Sequence, residues 1–200
     1  MTTKKVKKSP PNDVVFIGID YSYTSPAICV LGSDFKTSKF FYATYNPKIQ
    51  GKSGKNCLGY LLNPRLKDIE RYGEIGEWGK KVVSKCLKAK NVKVAMEGYS
   101  FGSSRSLTFN IAENAGLLKF LLFKELNIIP HIIPPTTAKK HFSGSGRANK
   151  EDMRQALIDK EGVDIVEWLG MKRLNSPAHD IVDSYAIALT LKDKLNNGVS

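Results

Sequence analysis

Two apolar segments that each end in a carboxylate constrain the fold of this chain more than any other feature. Residues 14–20 (VVFIGID) carry no charge before Asp20, and residues 91–97 (NVKVAME) alternate and then turn apolar before Glu97. Short apolar runs of this kind predict buried β-strands. An ionised carboxylate at the end of a buried strand is costly unless an opposite charge neutralises it. The ends of both strands are therefore predicted to lie near a cation that neutralises the carboxylates.

The order of the other segments predicts a mixed sheet with helices around it. Strands are predicted over residues 14–20, 27–31, 39–44, 91–97 and 128–133, and helices over 66–89, 107–122, 150–160 and 177–195. Residues 46–63 and 139–149 are rich in Gly, Lys and small polar residues, which predicts two loops. The expected fold class is α/β, with a mixed five-stranded sheet in which three antiparallel strands precede two further strands, flanked by helices.

Length and charge predict one domain that binds a polyanion. The 200 residues are 42% hydrophobic, which is enough for one core and too little for two ordinary domains. Residues 1–12 are basic and almost without apolar side chains, so we predict a disordered tail there and one domain over 13–200. The net charge of +12 favours nucleic acid as a partner. A lysine-rich soluble surface explains the charge equally well.

The cysteines and apolar stretches indicate where the protein resides. Cys29, Cys57 and Cys86 are widely spaced, which indicates neither a disulfide framework nor a zinc site. The apolar stretches are shorter than the roughly 20 residues that cross a bilayer, and no apolar segment follows the charged N-terminus as it would in a secretory signal. We therefore expect a cytoplasmic protein that does not contact a membrane.

A second pair of carboxylates lies in the last predicted helix. Ser176 is expected to cap this helix, and Pro177 to occupy its first position. Asp180 and Asp183 are three residues apart, so they project from one face near the positive end of the helix dipole. Taken singly, each of the four acids is more often a turn, cap or surface residue. Taken together, they predict a site for Mg²⁺ or Mn²⁺, because hard cations prefer oxygen ligands.

Four carboxylates around divalent cations predict phosphodiester hydrolysis. With two ions at one site, one ion activates a water molecule for attack and the other stabilises the leaving oxygen. The candidate catalytic and metal-binding residues are Asp20, Glu97, Asp180 and Asp183.

Four stretches of the sequence resemble, in the same order, the RuvC family of Holliday junction resolvases. They are IGIDYSYTSPAICV, MEGYSFGSSRSLTFNIAENAG, AKKHFSGSGRANKEDM and PAHDIVDSYAIAL, which together span residues 17–189. The two strand-end acids and the two helix acids match the four carboxylates of the family. Tyr21 and Ser22 replace the Pro and Gly that usually follow the first aspartate, which is closer to the phage branch of the family. The tail and residues 46–89 have no match.

The resemblance implies a ribonuclease H-like fold and a homodimer that binds a four-way DNA junction. It also implies symmetrical nicks in two strands, which leave 5′-phosphate and 3′-hydroxyl ends. The family pattern of the third stretch is matched by Lys139, Gly144, Gly146, Ala148 and Lys150. Independently of the family, lysines and glycines before a helix N-terminus predict a loop that grips phosphate. A flexible Gly–Ser linker with solvated lysines is the alternative.

Several further side chains are expected to contact DNA. The full set is Tyr99, Phe101, Arg105, Lys139, Lys140, Arg147 and Lys150. The family has a base-stacking aromatic residue three positions after its glutamate, where this chain has Ser100. Tyr99 or Phe101 can stack on an unpaired base in its place, or simply pack against the protein. His179 precedes Asp180 and is either a ligand, a proton donor or a structural residue.

Other classes of protein share parts of this pattern. A ribonuclease H that cuts RNA–DNA hybrids has the carboxylates without the third stretch. Transposase cores carry their acids in the order Asp, Asp, Glu, and actin-like phosphotransferases need two such domains. The presence of all four acids argues against a non-catalytic junction-binding protein. A junction-cleaving nuclease is the preferred interpretation, and the hybrid nuclease and the non-catalytic binder stay as alternatives.

Overall fold

The structure, a computed structural model, describes residues 14–32, 38–50, 56–87, 91–99 and 105–198. The strands in these ranges are β1 (Val14–Asp20), β2 (Ala27–Leu31), β3 (Lys39–Thr44), β4 (Cys57–Leu61), β5 (Asn91–Glu97) and β6 (His131–Ile133). The helices are α1 (Pro47–Gln50), α2 (Asp68–Cys86), α3 (Arg105–Leu126), α4 (Pro135–Ser143), α5 (Lys150–Glu161), α6 (Ile165–Trp168) and α7 (Ala178–Asn196). The predicted tail over residues 1–12 lies outside the described residues.

The described strands form one sheet in the order β4-β3-β2-β1-β5-β6. β1 pairs antiparallel with β2, and β2 with β3, which confirms the predicted three-stranded meander. β5 lies parallel to β1, and β6 lies parallel to β5. Helices pack on both faces of the sheet, so the predicted α/β class with a mixed sheet is confirmed. Because β1 and β5 run in the same direction, their carboxyl ends meet at one edge of the sheet.

The sheet has six strands in the described residues, so the prediction of five strands was wrong. The additional strand, β4, lies in the predicted loop 46–63 and pairs in parallel with β3. The segment was predicted to be a loop because it is rich in Gly, Lys and small polar residues. In the structure a Cβ on Gly59 would lie 2.7 Å from the Tyr42 hydroxyl. The glycine therefore makes room for a tyrosine ring on the neighbouring strand.

Residues 135–143 form helix α4, so the prediction of a loop over 139–149 was wrong in its first half. The sequence Pro134-Pro135 looked like the end of a strand. In the structure it begins a helix, with Pro134 at the N-cap and Pro135 in the first turn, where the missing proline N–H costs no hydrogen bond. Gly144 ends the helix with a left-handed φ of 83°. Lys139 and Lys140 therefore lie on a helix.

The sheet separates two hydrophobic cores, and β1 contributes to both. Ile17 and Ile19 face α2 and α3, where they join one core. Phe16 faces the other side and joins the core formed with α4 to α7. Because side chains alternate along a strand, Gly18 and Asp20 share the face of Phe16. The alternation along β1 thus directs Asp20 towards α7.

The ends of the helices follow their capping residues. Asn149 caps α5 by accepting hydrogen bonds from the first turn, and Asp152 completes a capping box. α7 begins one residue later than predicted, because Pro177 occupies the N-cap position and makes no side-chain cap. The predicted capping role of Ser176 was therefore wrong. Among the helices of the described ranges, none combines the length and the apolar character needed to cross a bilayer.

Candidate active site

Asp20 and Glu97 lie side by side where β1 and β5 leave the sheet. The two strands pair in parallel up to Ile19 and Met96, so the next residue on each strand is one of the two acids. Adjacent strands are about 4.8 Å apart, and residues in register point to the same face. Both carboxylates therefore face α7.

Asp180 and Asp183 come from the first turns of α7, and a glycine on β1 lets this helix approach the strand acids. A Cβ on Gly18 would lie 2.2 Å from the Ser184 carbonyl oxygen and 2.3 Å from the Ala188 nitrogen. Any larger residue at position 18 would push this part of α7 away from β1. The glycine is therefore a condition for bringing the helix acids and the strand acids together.

The pKa values of three acids indicate that all four lie close to one another. Burial raises the pKa of Asp20 well above its usual value, and the charges of the other three acids raise it further. Burial, followed by the charge of Asp183, raises the pKa of Glu97 to about 7. Burial, followed by the charge of Asp180, raises the pKa of Asp183 to about 6. The structure thus brings the four predicted acids into one cluster of like charge.

Two lysines of the predicted phosphate-gripping segment lie beside this cluster. Lys150, the first residue of α5, lowers the pKa of Asp20 and Asp183, although burial outweighs its effect. Lys139 on α4 acts in the same direction on Glu97 and Asp183. The two ammonium groups offset part of the negative charge.

His179 links one of these lysines to Asp180. Its Nδ1 lies 3.1 Å from Asp180 Oδ1, and its Nε2 lies 2.8 Å from Lys150 Nζ. An ammonium group can only donate a hydrogen bond, so Nε2 accepts from Lys150 and the ring proton lies on Nδ1, the nitrogen that faces Asp180 Oδ1. Of the alternatives for His179, this geometry favours a residue that orients a carboxylate.

A serine outside the predicted site also contacts Asp180. Ser25, in the turn between β1 and β2, donates from Oγ to Asp180 Oδ2 at 2.8 Å. Ser176 Oγ lies 3.1 Å from Ser25 Oγ and 3.0 Å from His179 Nε2. Both oxygens of Asp180 therefore have a partner. No local pattern in the sequence could reveal this contact, because 155 positions separate Ser25 from Asp180.

A hard divalent cation fits the chemistry of the cluster. All four candidate donors are carboxylates, and the adjoining cleft has a volume of about 90 Å³, which is room for several water molecules or a hydrated ion. The cleft is lined by Asp20, Tyr21, Ser22, Glu97, Gly98, Tyr99, Ile111 and Ala115. Among the described residues, no three acidic, His or Cys side chains already stand at the spacing of a metal's ligand shell. Like charges repel, which explains why the carboxylates stand apart. A bound cation would offset this repulsion and let them come closer together.

The aromatic loop after β5 is described only at its start. Tyr99 lines the cleft and is 44% exposed, and its hydroxyl accepts a hydrogen bond from Lys119 Nζ at 2.9 Å. Arg105 is the first residue of α3, which begins two residues before the predicted start of this helix. Phe101 lies outside the described residues.

Lys140 and Arg147 are exposed, and Lys140 lines a groove other than the cleft beside Asp20. The neighbouring glycines have structural reasons of their own. Gly144 ends α4, and a Cβ on Gly146 would lie 3.2 Å from the Thr136 carbonyl oxygen. The glycines therefore shape the segment between α4 and α5, in addition to any approach of a phosphate.

The fold is that of RuvC. A structure of Thermus thermophilus RuvC matches with a TM-score of 0.58 and 22% sequence identity, over 93% of this chain and 96% of that protein. A structure of the same RuvC in complex with Holliday junction substrate matches with a TM-score of 0.57 and 19% identity, over the same shares of the two chains. No family model matches the chain, and no curated protein matches it in sequence. The predicted ribonuclease H-like fold of the RuvC type is thereby confirmed.

Proposed function

We propose that this chain is a metal-dependent nuclease that cuts branched DNA, with the four-way junction as its preferred substrate. The observation that carries the proposal is the convergence of two strand-end acids and two helix acids in one cluster, next to a cleft that Asp20 and Glu97 line. The junction as substrate is supported by the likeness in fold to a RuvC that was solved with a Holliday junction. The net charge of +12 supports a polyanion as the ligand.

The proposed chemistry is hydrolysis of a phosphodiester that leaves 5′-phosphate and 3′-hydroxyl ends. The residues that would hold Mg²⁺ or Mn²⁺, as two ions, are Asp20, Glu97, Asp180 and Asp183. When bound, the ions supply Lewis acidity that activates water and stabilises the leaving oxygen. Lys139 and Lys150 attract the phosphate to the cleft, and His179 keeps Asp180 oriented. In this proposal the two lysines neutralise negative charge, and the histidine orients a carboxylate.

Junction DNA is expected to reach the cluster across a basic and partly aromatic surface. Tyr99 presents a half-exposed ring at the cleft, where it can stack on a base unpaired at the branch. The expected phosphate contacts are Arg105, Lys139, Lys140, Arg147 and Lys150, and Phe101 is the second candidate for stacking. Phosphate contacts position the protein on DNA without reading its sequence.

The full chain is expected to nick a labelled four-way junction in Mg²⁺ or Mn²⁺ faster than a linear duplex or an RNA–DNA hybrid, and not at all in EDTA. The cluster needs a cation to bind phosphate, since a phosphate would otherwise meet four acids. Denaturing gels measure the rates on the three substrates. Sealing of the nicked junction by a DNA ligase, without prior phosphorylation, checks the 5′-phosphate and 3′-hydroxyl ends.

Two outcomes of this experiment would contradict the proposal. Faster cleavage of the hybrid than of the junction would favour a ribonuclease. Tight junction binding without cleavage in either metal would favour a non-catalytic binding protein.

Symmetrical nicking of a junction requires two active sites, and we propose that the chain forms a homodimer through the exposed face of α3. Phe109, Phe120 and Phe123 are 67%, 53% and 54% exposed. At 100° per residue they fall within about 60° of one another around the helix. Such an exposed aromatic stripe marks an interaction surface, and a two-fold dimer covers the same stripe on both copies.

The wild-type chain is expected to have twice the 22.2 kDa mass of the monomer, and Phe123→Lys is expected to be monomeric, because a charge in an apolar contact is costly. Light scattering after gel filtration, in enough salt to screen the basic charge, measures the mass. Leu58→Lys is the matched control. Leu58 is also apolar and exposed (48%), but it lies on the edge strand β4, outside the proposed α3 interface. A monomeric wild type, or a dimeric Phe123→Lys variant, would refute this interface.

A further inference from the structure

Ser25 donates a hydrogen bond to Asp180, one of the four carboxylates of the cluster. Its Oγ lies 2.8 Å from Asp180 Oδ2, and the side chain is 5% exposed. A serine hydroxyl has one proton, and a hydrogen bond to a carboxylate is stronger than one to another hydroxyl. The proton therefore goes to Asp180. The contact with Ser176 Oγ, at 3.1 Å, would need the same Ser25 proton and is therefore the weaker of the two.

The turn that carries Ser25 is itself held in place. The backbone N–H of Ser25 donates to Ser22 Oγ at 2.8 Å, which is a local turn contact typical of serine. The hydroxyl groups of the two serines lie 3.3 Å apart. Because the turn follows Asp20 directly, it connects the end of β1 with the first turn of α7. The hydrogen bond of Ser25 thus connects the end of β1, which carries Asp20, with α7, which carries Asp180 and Asp183.

Asp180 is clamped from both sides as a result. Oδ1 faces His179 Nδ1 at 3.1 Å, and Oδ2 faces Ser25 Oγ. A carboxylate has about four lone-pair directions, so the hydrogen bond from Ser25 and the neighbouring His179 ring restrict its rotation and leave lone pairs free for a ligand. Among the four acids of the cluster, Asp180 is the one for which the described residues provide such a clamp.

We propose that Ser25 is a positioning residue that holds Asp180 in the orientation needed to bind a divalent cation, and so sets the affinity of the cluster for that cation. The inference rests on the proposed function. It concerns a residue that acts through Asp180 and does not touch DNA or the ion. Hydrogen-bond partners of metal ligands commonly contribute about 10- to 100-fold in metal affinity or activity.

The test compares Mn²⁺ binding by the full chain without DNA, measured by titration calorimetry, in wild type, Ser25→Ala, Ser25→Thr and Thr190→Val. Ser25→Ala is expected to weaken Mn²⁺ binding about tenfold or more, and Ser25→Thr is expected to restore it because the hydroxyl is kept. Thr190→Val is the matched control. Thr190 is a buried hydroxyl on the same helix, bonded to the Ala186 carbonyl, about 15 Å along the helix from Asp180.

Nicking at increasing Mn²⁺ concentration provides a second measurement. Ser25→Ala is expected to need about tenfold more Mn²⁺ for half-maximal rate, with the maximal rate nearly restored at saturation. A purely structural serine would instead lower the melting temperature in EDTA and leave Mn²⁺ affinity unchanged, which overturns the inference. Equal weakening in Ser25→Ala and Ser25→Thr also overturns it, because the hydroxyl would then not be responsible.

The outcomes separate this inference from the proposed function. If the wild type binds Mn²⁺ and cuts junctions while Ser25→Ala binds Mn²⁺ equally well, the nuclease proposal stands and the role of Ser25 is refuted. If the wild type neither binds Mn²⁺ nor cuts DNA, both are refuted.

Discussion

Asp20→Asn and Glu97→Gln are each expected to slow junction nicking by about 10³-fold or more, while junction binding persists or becomes tighter. Each change keeps the shape of the side chain and removes one anionic oxygen ligand for the cation. The expected DNA contacts Lys140 and Arg147 are exposed and lie on other elements. Removing a negative charge also lowers repulsion towards the DNA backbone. Catalysis and binding should therefore separate.

The measurement is the single-turnover rate of nicking from a preformed complex, together with junction affinity in EDTA. Asp159→Asn is the matched control, because it removes an exposed carboxylate from α5 at the end away from Lys150. It is expected to nick at the wild-type rate. Wild-type rates in both cluster variants would remove these acids from the catalytic site. Loss of binding in proportion to loss of nicking would assign them to DNA binding or folding.

The core of the candidate site was predictable because short-range rules determine it. An apolar run ending in Asp20 predicts a buried strand, and the alternation of side chains then determines its face. The same reasoning applies to Glu97, and the spacing of Asp180 and Asp183 places both on one helix face. What these rules do not give is the distance between the elements. That distance depends on Gly18, whose missing side chain admits α7.

The elements that were missed depend on partners distant in sequence. β4 was assigned to a loop because residues 46–63 are rich in Gly, Lys and Asn, yet one of these glycines, Gly59, accommodates Tyr42 on the neighbouring strand. The start of α4 was missed because two prolines are compatible both with the end of a strand and with the first turn of a helix. Tertiary packing decides between the two, and sequence patterns do not record it.

The surroundings of Asp180 were hidden for the same reason. Ser25 is a turn residue by every local criterion, and its bond to Asp180 spans 155 positions. Lys150 was expected to grip phosphate, whereas the structure gives it a contact with His179 as well. Polar side chains find partners through the fold, so their contacts follow from three-dimensional structure more than from motifs.

The metal-free protein is expected to lose stability as the pH rises from about 4.5 to about 7. The pKa of Glu97 is raised from 4.5 to about 7, and that of Asp183 from 3.8 to about 6. Between these limits the folded protein binds protons that the unfolded chain has released, so the free energy of unfolding decreases with rising pH. Asp164 has the opposite shift, since its pKa is lowered from 3.8. The stabilisation that it provides is present throughout this interval and decreases only at lower pH.

A divalent cation is expected to reverse this loss, because it binds ionised carboxylates and competes with their protons. At about 100 times its Kd a ligand stabilises by about 2.7 kcal/mol, which is about 5 to 10 °C for a chain of this size. Mn²⁺ should raise the melting temperature by this amount at pH 7.5 and by much less at pH 5. Glu97→Gln should melt higher than wild type in EDTA at pH 7.5 and respond less to Mn²⁺, whereas Asp159→Asn should follow wild type. A wild-type melting temperature that is constant over this pH range in EDTA, and unchanged by Mn²⁺, would mean that the four acids do not form a cation site.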